Sequence, residues 1–110
     1  MKMEKIIGRF YFKLSSNGNL LGEYSNNVST DCDVEAARRL SERQGTNINP
    51  FVGKYNSTWT EGASSHSATL TITKRTAQIY SVEWSRNNEP VFTGEAMIMD
   101  GILIGNYQSV

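Results

Sequence analysis

Apolar and polar residues alternate from the sixth position of this chain. Ile6, Gly8, Phe10, Phe12 and Leu14 share one parity, and Ile7, Arg9, Tyr11 and Lys13 share the other. Successive side chains of a strand point to opposite faces, so residues 6–14 predict a strand with one apolar face. Ser15-Ser16-Asn17-Gly18 follows, and Asn-Gly supplies the positive φ angles of a tight hairpin. Leu20, Gly22 and Tyr24 then return on the inner parity. The period resumes at Phe51, where Phe51, Gly53, Tyr55, Ser57 and Trp59 share a face. Residues 60–67 read as a polar loop, and 68–73 and 79–85 as strands, the second placing Tyr80, Val82 and Trp84 inward. Asn87-Asn88-Glu89-Pro90 is a turn, and Phe92, Gly94, Ala96 and Ile98 form the next inner face. Asp100-Gly101 signals a two-residue hairpin, and Leu103, Gly105 and Tyr107 close the pattern.

Residues 33–44 break the alternation and predict a helix. Thr30, Asp31 and Asp33 are candidate N-caps, Glu35 and Arg39 have the spacing of a helical ion pair, and Gly45 is placed to end the segment. Its apolar stripe of Val34, Ala37 and Leu40 is thin, enough to lie across a sheet but not to form a core. The expected architecture is mainly β. It is a small antiparallel meander barrel or strongly curled sheet of about seven strands, with one short helix inserted after the first hairpin, in a single domain spanning 1–110.

A glycine-to-aromatic step recurs at Gly8-Arg9-Phe10, Gly22-Glu23-Tyr24, Gly53-Lys54-Tyr55 and Gly105-Asn106-Tyr107. Glycine and ring fall on one face, where a missing side chain leaves room for a neighbouring ring and lets the strand coil. Residues 17–24 and 100–107 also match in spacing and type, each a hairpin turn followed by its return strand, which predicts equivalent places where the sheet closes. The stretch Gly53-Lys54-Tyr55-Asn56-Ser57-Thr58-Trp59, with Phe92-Thr93-Gly94 and Leu103-Ile104-Gly105-Asn106-Tyr107, resembles the calycin group of lipocalins, avidins and fatty-acid-binding proteins over residues 51–108. That resemblance implies a ligand cavity at a barrel mouth and names no ligand.

Eleven basic and eleven acidic residues cancel, which argues against nucleic acid or an anionic membrane as the main partner. Arg38, Arg39 and Arg43, interleaved with Glu35 and Glu42, read as a solvated helix face. The single cysteine, Cys32, permits no intrachain disulfide, and the single histidine, His66, reads as a solvent-exposed loop residue. One His and one Cys give no zinc-type cluster, and no cofactor is expected. The charged opening Met1-Lys2-Met3-Glu4-Lys5 lacks a signal-peptide pattern, and no apolar run reaches membrane-spanning length; the expectation is a cytoplasmic protein.

The inner aromatic face is the candidate site, with Tyr55, Trp59, Tyr80, Trp84 and Tyr107 as ligand-binding residues. Glu23, Glu83 and Glu95 take outward parity, so no acid pair faces the interior and no catalytic residue is assigned. The favoured function is non-catalytic binding of a small, mostly apolar molecule in the barrel interior or mouth. The alternatives are an assembly module with a filled core and, third, a small-barrel isomerase or cyclase. Met97, Met99, Ile102 and Ile104 alternate with inward residues and would face solvent together, which predicts a homo-oligomer interface unless the helix covers them.

Overall fold

The computed structural model describes residues 5–40 and 50–110. Eight strands follow in chain order: β1 (Ile7–Leu14), β2 (Leu20–Asn26), β3 (Asp33–Arg39), β4 (Gly53–Glu61), β5 (Ser64–Lys74), β6 (Tyr80–Arg86), β7 (Glu89–Met99) and β8 (Ile102–Ser109). Each pairs with the next, β8 pairs back with β1, and every pairing is antiparallel. The sheet is thus a closed up-and-down barrel, which leaves no row of unpaired backbone groups at an edge.

The helix expected over 33–44 is overturned in its described part. Asp33–Arg39 is strand β3, joined to β2 through Leu20↔Ala37 and to β4 through Ala37↔Ser57. Residues 41–44 of that expectation lie outside the described residues. An all-antiparallel meander closes only with an even number of strands, because neighbours must alternate in direction around the ring. Seven strands would leave the first and last parallel. The helix propensity of Ala, Glu and Arg is worth only tenths of a kcal/mol per residue, whereas two open edges expose whole rows of N–H and C=O groups. No helix occurs among the described residues, so none there is long and apolar enough to cross a membrane.

The parity read from the aromatic residues holds. Phe10, Tyr24, Tyr55, Trp59, Tyr80, Trp84 and Tyr107 are buried inside the barrel, and Phe92 is partly buried against them. Ile98, expected inside, is 38% exposed, because its pair with Leu103 lies beside the β7–β8 turn at the barrel rim. The polar loop expected at 60–67 is also replaced. β4 runs to Glu61 and β5 begins at Ser64, leaving a tight turn with Gly62 at φ 60°. Two turns keep their expected chemistry: Asn87 (φ 53°) with Asn88 (φ 66°), and Asp100 (φ 54°) with Gly101 (φ 77°). Positive φ at both central residues matches the right-handed twist of hairpin strands.

The two echoing segments become β2 and β8, which flank β1 on its two sides. Across these ladders glycine faces ring: Phe12 opposes Gly22, Phe10 opposes Gly105, and Gly8 opposes Tyr107. The contacts are close. A Cβ on Gly22 would lie 1.7 Å from the Tyr11 carbonyl oxygen, and one on Gly105 would lie 2.3 Å from the Glu95 carbonyl oxygen and 2.9 Å from the Phe10 ring.

Phe12, Leu20, Leu70, Ile72 and Leu103 fill the middle of the barrel. Arg39, buried at the end of β3, seals one end. Its Nε donates to the Gly18 carbonyl (3.1 Å), Nη1 to Val52 O (3.0 Å), and Nη2 to Pro50 O (2.7 Å) and the Tyr55 hydroxyl (2.6 Å). The guanidinium lies 4.7 Å from the Tyr55 ring centroid, a cation–π distance. Burial pushes the Tyr55 phenol up to about 12, against the opposing pull of Arg39.

Gly105→Val is expected to lower unfolding free energy by about 1–3 kcal/mol or more, since added volume must displace both backbone and ring. Lys54→Thr, on the outer parity, should stay within about 0.5 kcal/mol of the parent. Urea titration of both variants checks the register, and the reverse order of losses would show it to be inverted.

Candidate functional site

The end opposite Arg39 is open. The register brings the start of β1, the end of β2, the start of β3 and the ends of β4, β6 and β8 to this rim. Tyr24, Trp59, Trp84, Phe92 and Tyr107 wall a cup there, with Ile6 and Asn26 at its mouth. The rings brace one another. Phe92 and Tyr107 meet edge to face at 5.5 Å between centroids, Trp84 and Tyr107 at 5.7 Å, and Phe10 supports Trp84 from below at 5.4 Å. The volume enclosed between the walls is about 30 Å³. That is about the share of one water and an order of magnitude below whole small-molecule sites, so only the polar head of a ligand enters and its body rests at the mouth.

The cup contains what sequence reading placed outside: a carboxyl group. Glu35 was expected on a helix face paired with Arg39; as the third residue of β3 it points into the barrel and is 4% exposed. Its Oε2 accepts from Ser57 Oγ at 2.5 Å and from Trp84 Nε1 at 2.6 Å. Oε1 accepts no hydrogen bond among the described residues; it is not sealed from solvent, and Glu35 borders the cup. Desolvation pushes the Glu35 carboxyl above the usual carboxylate range, and the two donated hydrogen bonds only partly oppose it. With both donors on Oε2, a proton on the neutral acid would sit on Oε1, facing the cavity. Such a group can donate or accept a proton at one fixed point.

Every other polar tip in the cup is tied down. Tyr24 donates to Thr60 O at 2.7 Å, Asn26 Nδ2 donates to the Tyr107 hydroxyl at 2.9 Å, and Trp59 Nε1 donates to Glu61 Oε2 at 3.0 Å. Burial raises the phenols of Tyr24 and Tyr107, so both stay neutral near pH 7. The cup is therefore preformed, with one acceptor left over.

Of the five residues nominated for ligand binding, Trp59, Trp84 and Tyr107 meet at the cup. Tyr55 and Tyr80 stand at the opposite end, Tyr55 on Arg39 and Tyr80 paired with Lys74 and Ala96. His66, expected in a loop, lies on β5, half-buried and stacked on Trp59 at 6.0 Å, with Glu61 Oε1 at 3.6 Å from its Nε2. Glu35 and Ser57 were missed as site residues. The signal for Ser57 was its inner parity between Tyr55 and Trp59; the signal for Glu35 was the strand that an even count requires. No group of three or more His, Cys, Asp or Glu able to hold a metal ion occurs among the described residues.

The raised carboxyl links stability to pH. The folded state binds the Glu35 proton more tightly than the unfolded chain does, so its stabilising contribution is complete below the unfolded carboxyl range. It is lost as pH rises through the folded value. Glu35→Gln is expected to remove that loss, so its stability relative to the parent should increase from pH 4 to pH 8. Denaturant midpoints across this range check it; parallel profiles would mean that Glu35 ionises as freely as in the unfolded chain.

No protein-family profile, curated protein or solved structure matches the chain.

Proposed function

We propose that this calycin-like barrel binds a small molecule with an apolar body at its open mouth, without chemical conversion. The observation that carries the reading is the preformed aromatic cup whose single unengaged polar atom is Glu35 Oε1. A rigid apolar wall with one directional polar anchor supplies both affinity and orientation. The packed middle of the barrel and the Arg39 seal at the far end support the mouth rather than a through-going interior as the binding place.

Calorimetry with benzyl alcohol, and native mass spectrometry of the protein as purified, test this. Saturable heat is expected from the parent protein. Ile6→Phe adds a ring at the mouth and should cut the affinity at least tenfold, with the melting temperature held within a few degrees because Ile6 lies at the partly exposed rim. Absence of both saturable heat and a retained adduct would overturn the reading.

A second reading, self-association, is favoured by a separate observation on the outer wall. Met97 (56% exposed), Met99 (64%) and Ile104 (41%) lie outside, with Ile102 partly exposed beside them. The register extends this surface: Ile104 sits between Met97 and Tyr11, and Leu21 follows across Lys13 from Ile102. The described part of the segment expected to cover these residues is itself barrel wall. A second copy presenting the same face is the occupant proposed, since self-complementary apolar faces pair about a twofold axis. Sedimentation at micromolar concentration should show a dimer, and Met99→Lys with Ile104→Lys should release monomers of 12.3 kDa. A monomeric parent would remove this reading.

A further inference from the structure

Glu35 is an unusual floor for an apolar cup. It is almost fully buried, carries no basic partner, and leaves one carboxylate oxygen open to the cavity. The second carboxylate at the cup, Glu61, is held on the rim by Trp59 Nε1. The described lining is acidic, with these two carboxyl groups and no Lys, Arg or His, while His66 (3.6 Å from Glu61 Oε1) and Arg86 lie against Trp59 outside the lining. The walls add to the acidic lining, because the faces of Trp and Tyr rings carry the negative part of the aromatic quadrupole.

Resting on the reading of the mouth as a ligand site, we infer that its ligand is a small organic cation: a primary or secondary ammonium group on an apolar body of about one ring. Binding draws Glu35 into its ionised form: the ammonium N–H donates to Oε1, and the positive charge supplies the counter-charge that the carboxylate lacks among the described residues. Charge-assisted hydrogen bonds of this kind are about twice as strong as neutral ones. The aromatic walls contribute cation–π attraction near the charged head, and the apolar body rests at the mouth. A carboxylate ligand meets two like charges in the same space. A neutral alcohol can hydrogen-bond Oε1 but brings no charge to hold Glu35 ionised. Preference for the cation over its neutral isostere is the signature.

The experiment compares benzylammonium with benzyl alcohol at pH 7 on the full chain, by calorimetry and by the fluorescence of Trp59 and Trp84. Benzylammonium is expected to bind at least tenfold more tightly. Glu35→Gln should abolish this preference, lowering benzylammonium affinity at least tenfold and benzyl alcohol affinity by much less, since the amide oxygen still accepts a hydrogen bond. Should that variant fail to fold, Glu61→Gln on the exposed rim gives an independent readout, a two- to fivefold weakening of benzylammonium alone, in line with a contribution of about 0.2–1 kcal/mol for an exposed charge. Benzyl alcohol binding as tightly as benzylammonium, or a preference that survives Glu35→Gln, overturns the cation inference and leaves the mouth as a binding site. Loss of both probes with no retained adduct overturns the site itself.

Discussion

Closure of β8 onto β1 is the constraint from which the rest of this structure follows. Seven antiparallel pairs, from Ile7↔Gln108 to Lys13↔Ile102, join the two strands. They form only because glycines let chain and ring approach, Gly105 beneath Phe10 and Gly8 beneath Tyr107. Closure fixes which parity of every strand faces inward, since a slip of one residue would turn a whole strand inside out. It also fixes the strand number as even. That requirement draws residues 33–39 into the wall, and with them Glu35 and Arg39 into the interior.

The aromatic framework and the turns were legible in the sequence because each carries a local physical signature. Rings two residues apart leave little doubt about the inner parity from Phe10 to Tyr107, and Asn17-Gly18 and Asp100-Gly101 fall where positive φ is demanded; Gly18 stands at φ 88° and Asp100 at 54°. β3 was illegible for an equally physical reason. Its inner residues are Glu35, Ala37 and Arg39, and its outer ones include Val34, so polarity runs against the usual rule for a half-buried strand. Ala, Glu and Arg also favour helix locally, and Glu35 with Arg39 imitates a helical ion pair. Tertiary closure outweighs those tenths of a kcal/mol. The start of β5 failed differently: Ser64, Ser65 and Ser67 look like loop, yet their backbone groups complete the ladder with β4.

The two buried ionisable side chains of β3 are handled in opposite ways. Four residues of strand separate them by roughly 13 Å along the chain, too far for a direct ion pair. Arg39 is solvated by three carbonyl oxygens, a hydroxyl and a ring face, a nearly complete replacement for water. Glu35 receives two donors on one oxygen and none on the other. The sealed end therefore locks the barrel, while the open end keeps one carboxyl oxygen accessible from the mouth.

Period two also separates the two surfaces proposed for partners. On β8 the outward Ile104 belongs to the apolar wall and the inward Tyr107 to the cup, three residues along the same strand. The wall residues Met99 and Ile102 flank the Asp100–Gly101 turn, at the end of the barrel opposite the mouth. A twofold contact centred there covers side chains that never reach the interior and leaves the mouth unobstructed. The barrel wall between them is one residue thick, so the coupling available to the two surfaces is through β1, β7 and β8 themselves. Phe10 joins the two regions: its ring supports Trp84 from below, and its backbone pairs with Gly105, the residue next to Ile104. That glycine–ring contact is one direct link between the two surfaces, and no side chain exists there to absorb a shift.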